Sequence, residues 1–349
     1  MILMSKRILA AACAAATALA LSACSPSAST GGKTSKDGTL TVMASFYPLK
    51  YLAEKVGGEH VTVTSLTPDG AEPHDLELSP KMVDSLASAD AVVYLAGFQG
   101  AVDEAVEQHA PKTVIDVSSA AQLVAIDSTS NHPGEDEGTD EAQSGEAQSG
   151  EAADHDHEGH EHEGHDHEHA DHDHHHDMSM DPHFWLDPAR MANAATLVGD
   201  KLAEADPTNA ETYKANAQAL NEELTSLGDN LVAKTSTCQI KTFVTAHTAF
   251  GYLADRTGLT QVGISGLDPE SSPSPARLAE IGKIVKDQGV TTIFTEALID
   301  PKVEQTLATD LGISTAVLDP IESQTDSSKD YAAVMKDNIN ALTTANNCQ

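Results

Sequence analysis

The sequence predicts an α/β protein of two doubly wound parallel-sheet lobes joined by one long rigid helix, with its functional site in the interlobe cleft. Three observations carry that prediction. Short apolar runs alternate with helical patterns in the early part of the chain, the same alternation returns in the late part, and one unbroken helical face lies between them. Strand–helix alternation favours parallel sheets covered by helices on both faces, and ligands of such folds gather at the C-terminal ends of the strands.

The folded elements follow a leader. Lys6 and Arg7 precede an apolar stretch from Ile8 to Leu21, which closes on Leu21-Ser22-Ala23-Cys24. Residues 1–23 therefore read as a secretion signal, because the apolar stretch falls short of the ~20 residues a membrane-spanning helix needs. The tetrapeptide resembles a lipobox, whose cysteine becomes the lipid-modified mature N-terminus, so Cys24 would anchor the protein to the outer face of the cell membrane. Residues 24–38, rich in Ser, Gly, Thr and Lys, read as a flexible tether.

An N-terminal lobe spans 39–205. Thr39 to Ser45, Val61 to Leu66, Ala91 to Ala96 and Thr113 to Val117 read as buried strands. Helices near Leu49 to Val56, Pro80 to Ala89 and Ala101 to His109 separate them, and Pro188, behind Asp187 as a cap, opens another that runs to about Ala205. This lobe is interrupted. The formal charge is −34, yet no Lys or Arg falls between Lys112 and Arg190, while Asp, Glu and His crowd residues 132–177. That segment, with its Glu-Ala-Gln-Ser-Gly repeats and His-Asp and His-Glu alternation, has almost nothing apolar to bury and is expected to be disordered. The overall negative charge discourages nucleic acid or anionic membrane surfaces as partners and suits a cation.

Residues 206–235 are expected to form the linking helix, starting at Asp206-Pro207. Tyr213, Ala217, Leu220, Leu224, Leu227 and Leu231 recur at alternating spacings of four and three, which traces one helical face. The C-terminal lobe, 236–349, repeats the rhythm with strands at Lys241 to Thr245, Thr260 to Ile264, Thr291 to Thr295 and Ser314 to Leu318. Its helices fill Ala249 to Thr257, Pro275 to Gln288, Pro301 to Leu311 and Asp330 to Leu342. Cys13 leaves with the leader and Cys24 would carry lipid. Cys238 and Cys348 then remain for a disulfide in an oxidising compartment, worth roughly 4 kcal/mol in the chain-entropy model.

Three histidines sit where the cleft should be. His74 follows the second strand within Gly70-Ala71-Glu72-Pro73-His74, His183 lies in Asp181-Pro182-His183-Phe184-Trp185 before a helix, and His247 follows the strand ending at Thr245. Imidazole nitrogen is a good zinc ligand in tetrahedral sites. A fourth, oxygen ligand would complete the shell, and Glu296 and Asp300 both follow a strand. His60, His109 and His132 lack such settings and read as surface residues.

These segments, together with the His-rich loop and the lipobox, resemble the zinc-specific solute-binding lipoproteins of ABC metal importers, the ZnuA-like branch of the cluster A-I family, over essentially the whole mature chain. The resemblance implies two α/β lobes joined by one long helix, Zn²⁺ in the cleft between them as transported ligand, and delivery to a membrane permease with its cytoplasmic ATPase by a monomeric carrier. It also implies that His74, His183 and His247 are metal ligands. For the fourth position, Glu296 matches a Glu of some zinc relatives and Asp300 an Asp of manganese relatives and some others, while a water serves in further ones. Asp300 is slightly preferred, with Glu296 as an acceptor that orients a histidine. Manganese relatives carry a carboxylate where His247 stands, so the His-rich set implies zinc, with manganese or another divalent metal as the alternative.

The loop histidines His155, His157, His160, His162, His165, His167, His169, His172, His174, His175 and His176 read as a low-affinity collector of zinc. An enzyme is not expected, because no HExxH motif or second catalytic constellation accompanies the three histidines. A surface adhesin or metal buffer would use the same site, and the sequence leaves that alternative open.

Overall fold

The computed structural model describes residues 38–126 and 180–349. The leader, Cys24 and the histidines of the His-rich segment lie outside the described residues. The expected βα rhythm is present in both halves. The first comprises β1 (Leu40–Ala44), α1 (Tyr47–Gly57), β2 (Val61–Ser65), α2 (Pro80–Ser88), β3 (Ala91–Tyr94), α3 (Gly100–His109), β4 (Thr113–Asp116) and the single turn α4 (Ser118–Ala121). Then come α5 (Pro188–Ala205) and α6 (Ala210–Thr235). The second half comprises β5 (Thr242–Thr245), α7 (Gly251–Thr257), β6 (Thr260–Gly263), α8 (Pro275–Gln288), β7 (Thr292–Thr295), α9 (Lys302–Leu311), β8 (Ser314–Val317) and α10 (Tyr331–Ala345).

Each lobe holds one 4-stranded parallel sheet, ordered β2-β1-β3-β4 and β6-β5-β7-β8. Chain direction across the sheet reverses between β1 and β3 and again between β5 and β7, so each lobe has a crevice at those strand ends. Strand alternation assigns the two faces. Val42, Ala44, Ala91 and Val93 point into a core continuous through both lobes, while Met43 and Val92 point into a separate cluster with Leu86 and Val102. In the second sheet Phe243 and Phe294 join the shared core, and Val244 and Ile293 meet Ile281 and Val285. The inner strands β1, β3, β5 and β7 are thus buried on both faces, which explains why they read as apolar runs, whereas the edge strands β2, β4 and β8, also expected to be buried, expose part of their length.

Local sequence sets the helix ends. Ser79, Asp187 and Ser274 each accept a backbone N–H at the start of a helix that opens with proline, and Asp330 caps α10. The linking helix α6 buries Tyr213, Ala217, Leu220, Leu224, Leu227 and Leu231, the face its spacing traced. Its 26 residues extend about 39 Å, packing on α1 and α5 of the first lobe and on α7 and α10 of the second. Helix α6 begins at Ala210 rather than at Asp206-Pro207. The Asp206 carboxylate instead accepts from Thr208 N–H at 3.1 Å, from the Asn209 amide at 2.7 Å and from the Tyr213 hydroxyl at 3.0 Å, which holds a turn there. Helices α5 and α6 approach closely at Gly199, where a Cβ would stand 2.4 Å from that of Ala217. A disulfide joins Cys238 to Cys348 and ties the entry of the second lobe to α10's C-terminal end.

Candidate metal centre

Four side chains from four connections converge between the lobes. His74 comes from the β2–α2 connection, His183 from the turn before α5, His247 from the β5–α7 connection and Glu322 from the β8–α10 connection. One ligand atom from each lies within 4.8 Å of all the others. The Glu322 carboxylate oxygen is 3.4 Å from His183 Nε2 and 3.3 Å from His247 Nε2. A tetrahedral Zn²⁺ with ligands at about 2.0–2.1 Å has ligand–ligand edges of about 3.3–3.4 Å, so these separations already suit one ion.

Each imidazole is oriented the same way. Its Nδ1 faces a carboxylate, which leaves Nε2 turned into the cluster. His183 Nδ1 is 2.8 Å from Asp181, which also accepts the His183 backbone N–H at 2.9 Å. His247 Nδ1 is 2.6 Å from Glu296, which accepts the His247 N–H at 3.1 Å. His74 Nδ1 contacts Glu72, and its N–H donates to the other oxygen of that carboxylate at 2.8 Å. The three Nε2 atoms and the Glu322 oxygen are buried and make no hydrogen bond. Such orphaned groups are costly unless something else satisfies them, and a cation does so for all four at once.

Charge follows the same geometry. Burial by itself would lower the pKa of His247, but Glu296 and Glu322 outweigh it and push the imidazole up to about 10. His183 is also raised: burial opposes, and the Asp181 contact at Nδ1 together with the Glu322 carboxylate beside Nε2 prevails. The Glu322 carboxyl is held well below the usual carboxylate range, since His183 and His247 overcome the cost of its burial.

The structure brings His74, His183 and His247 together, but places neither Glu296 nor Asp300 in the cluster. Glu296 is engaged on the far side of the His247 ring, as an orienting acceptor. Asp300 lies past the end of β7 on the surface, with its side chain 60% exposed and paired to Lys302. Glu322 takes the fourth corner instead. The signal was present in Asp319-Pro320-Ile321-Glu322, a carboxylate shortly after the last strand, where the strand-end rule applies equally. What the sequence does not display is the turn that aims it. Ile321, a β-branched residue, takes a left-handed φ of 57°, and its N–H donates to the Asp319 carboxylate at 2.8 Å. Such a conformation costs of order 1–3 kcal/mol and is characteristic of ligand-clamping segments.

The lobes are closed over this cluster by direct bonds. Trp185 donates from Nε1 to Pro320 O at 2.7 Å, and Gly70 N–H donates to Ser323 Oγ at 2.6 Å, so the first lobe grips both flanks of Glu322. Phe46 and Phe98 pack on Trp185, with ring centroids 4.8 and 5.7 Å away.

Two like parallel-sheet lobes, bridged by a long helix and closing on one buried cluster, define the class of two-lobed solute-binding proteins. The chain belongs to the family of periplasmic zinc-uptake complex component A, ZnuA, whose model matches residues 42–345. It is 33% identical over 311 residues to the zinc-binding protein AdcA of Streptococcus pyogenes serotype M3, covering 88% of this chain but 56% of that protein's length. It is 31% identical over 337 residues to the high-affinity zinc uptake system protein ZnuA of Bacillus subtilis, covering 94% of each. The solved Zn(II)-bound ZnuA-like domain of Streptococcus pneumoniae AdcA matches with a TM-score of 0.66 and 29% identity, covering 88% of this chain and 99% of that one.

Proposed function

We propose that this protein captures Zn²⁺ outside the cytoplasm, holding it with His74, His183, His247 and Glu322, and passes it to the permease of an ABC importer. The observation that carries the reading is the convergence of four buried ligand atoms without hydrogen-bond partners. The named zinc-binding and zinc-uptake relatives support it. Three imidazoles and one carboxylate favour zinc over manganese, which prefers a harder, oxygen-rich shell. Nothing in the site supplies a catalytic group beside the cluster: the carboxylates at Glu72, Asp181 and Glu296 are all spent on orienting imidazoles.

In this reading Glu322, rather than Asp300 or Glu296, is the fourth ligand. Cys24 carries the lipid that keeps a monomeric carrier at the membrane near its permease. The histidines of residues 132–177 collect further zinc at lower affinity, since they must be ordered around each ion while the cleft is already assembled. Competition titration against a chromogenic chelator should show one tight site that survives deletion of residues 133–177 and is lost in Glu322→Ala. A Glu322→Ala protein with parental affinity would remove Glu322 from the shell. Radiolabelled zinc uptake by cells lacking the gene, with and without the restored chain, tests delivery; equal uptake in both would defeat the transport reading.

A further inference from the structure

The Tyr252 hydroxyl occupies a position that the ligand shell does not account for. Tyr252 is the second residue of α7, on the connection that leaves β5 through His247, so it is fixed to the same piece of backbone as one candidate ligand. Its hydroxyl reaches into the first lobe and donates to Asp181 O at 2.7 Å. The Tyr252 hydroxyl oxygen also accepts the Val124 N–H at 3.0 Å. Asp181 N–H in turn donates to Val124 O at 3.0 Å, and Ala125 bridges Met180 in antiparallel fashion. This bridged pair is where the chain departs for, and returns from, the His-rich segment. Asp181 then orients His183 through both Nδ1 and the backbone N–H.

The ring is itself gripped. The Arg190 guanidinium lies 4.5 Å from the Tyr252 centroid, and its Nη1 donates at 2.7 Å to Ala121 O, at the end of α4 shortly before Val124. Burial, with the nearby Asp181 charge, pushes the phenol well above its ordinary range, so the hydroxyl keeps its proton. Asp181, His183 and His247 are fully buried and Tyr252 is 2% exposed, so this bond is shielded from solvent.

We infer that Tyr252 is a positioning residue for the metal site: its hydroxyl clamps the base of the His-rich insertion and sets Asp181–His183 in register with His247. This rests on the reading of His183 and His247 as ligands. The physical consequence is preorganisation. With the hydroxyl present, two imidazoles from different lobes, 5.3 Å apart between centroids, are linked through one side chain rather than through the whole interlobe core. Without it, Asp181 O and Val124 N–H lose the Tyr252 bond, the segment carrying His183 relaxes, and the ion meets a site that must be assembled at each capture.

The test uses the full chain and Tyr252→Phe, which keeps the ring and its Arg190 contact, with Leu253→Val as a control. Leu253 is buried in the same helix and makes no part of the polar link. Zinc affinity and dissociation rate are measured by chelator competition, and Co²⁺ replaces zinc so that its visible d–d absorption reports coordination geometry. Tyr252→Phe should lose affinity by roughly 10–100-fold, as changes to orienting groups do, mainly through faster release, and should alter the Co²⁺ spectrum. Leu253→Val should lose thermal stability but keep the parental spectrum and release rate. If Tyr252→Phe matched the parent in spectrum and rate, or if Leu253→Val changed both to the same degree, the positioning role would be overturned. Failure of the parental chain to bind Zn²⁺ or Co²⁺ would instead sink the metal-site reading itself.

Discussion

The two lobes share a strand order but present their site residues differently. In the second lobe, His247 and Glu322 leave the sheet close behind β5 and β8, and Glu296, which orients His247, follows β7 directly. Their side chains are at most 2% exposed. In the first lobe, His74 stands in the middle of the long connection between β2 and α2, with its side chain 6% exposed and its orienting Glu72 18% exposed. A residue at a strand end inherits the rigidity of the sheet; a residue on a loop has only the hydrogen bonds the loop makes. His247, Glu322 and the equally buried His183 of the first lobe therefore form the fixed half of the cluster, and His74 is the member best placed to swing away.

The largest effect should separate those halves. His247→Ala removes a buried member of the cluster and leaves Glu296 without its imidazole and Glu322 with one of its two, so zinc affinity should fall by more than the ~100-fold upper range of changes outside the ligand shell. His74→Ala should cost less and act chiefly on the dissociation rate, which stopped-flow chelation would resolve. Equal losses in the two variants would erase the distinction between a fixed and a mobile half.

The orienting carboxylates sharpen it one step further out. Glu296→Gln should cost about 10–100-fold in affinity, because the carboxylate is buried and its charge is undiluted by solvent. Glu72→Gln should cost about tenfold or less, since its half-open setting screens it. Isothermal titration of both variants decides; a larger loss for Glu72→Gln would reverse the ranking.

Protonation provides a third comparison. A raised pKa in His247 means that the metal-free cleft holds a proton there at neutral pH, which zinc must displace. The sign is therefore release of protons on binding, and an affinity that keeps rising with pH beyond the ordinary imidazole range towards about 10. Each displaced proton contributes tenfold per pH unit. Conversely, the native stability that the protonated His247 contributes is complete below about pH 6.5 and is lost as pH climbs to that value. Calorimetry at pH 7.5 in buffers of different ionisation enthalpy should show at least one proton released per ion. A buffer-independent enthalpy would contradict it.

The smallest effect on zinc should come from the disulfide. Cys238→Ser with Cys348→Ser cuts a closure remote from the cluster, so chemical denaturation should report a loss of about 2–5 kcal/mol with unchanged affinity. A variant that kept its stability would mean the bond constrains little in the unfolded chain.

Much of this was legible before any coordinates. Short apolar runs revealed the strands of both sheets and a spacing of three to four residues the buried face of α6, because burial of a regular backbone writes itself into the sequence. The capping pair Asp187-Pro188 and the proline at Pro275 marked helix starts for a local reason. Asp206-Pro207 was the exception, since the same residue types also build turns, and a network with Asn209 and Tyr213 settled the competition.

The sequence by itself determined the chemistry on offer: three histidines behind strands or before a helix, carboxylates two residues ahead of His74 and His183, and a surplus of negative charge around them. Only the tertiary structure decided which carboxylate completes the cluster. Glu296, Asp300 and Glu322 all follow strands, so spacing alone does not rank them. Their separation depends on a buried hydrogen bond that turns Glu296 behind His247, on a loop that carries Asp300 into solvent beside Lys302, and on the left-handed Ile321 that aims Glu322 between two imidazoles. Backbone rhythm is a local property and can be read along the chain, whereas the direction in which a loop side chain points is set by contacts with residues far away in sequence.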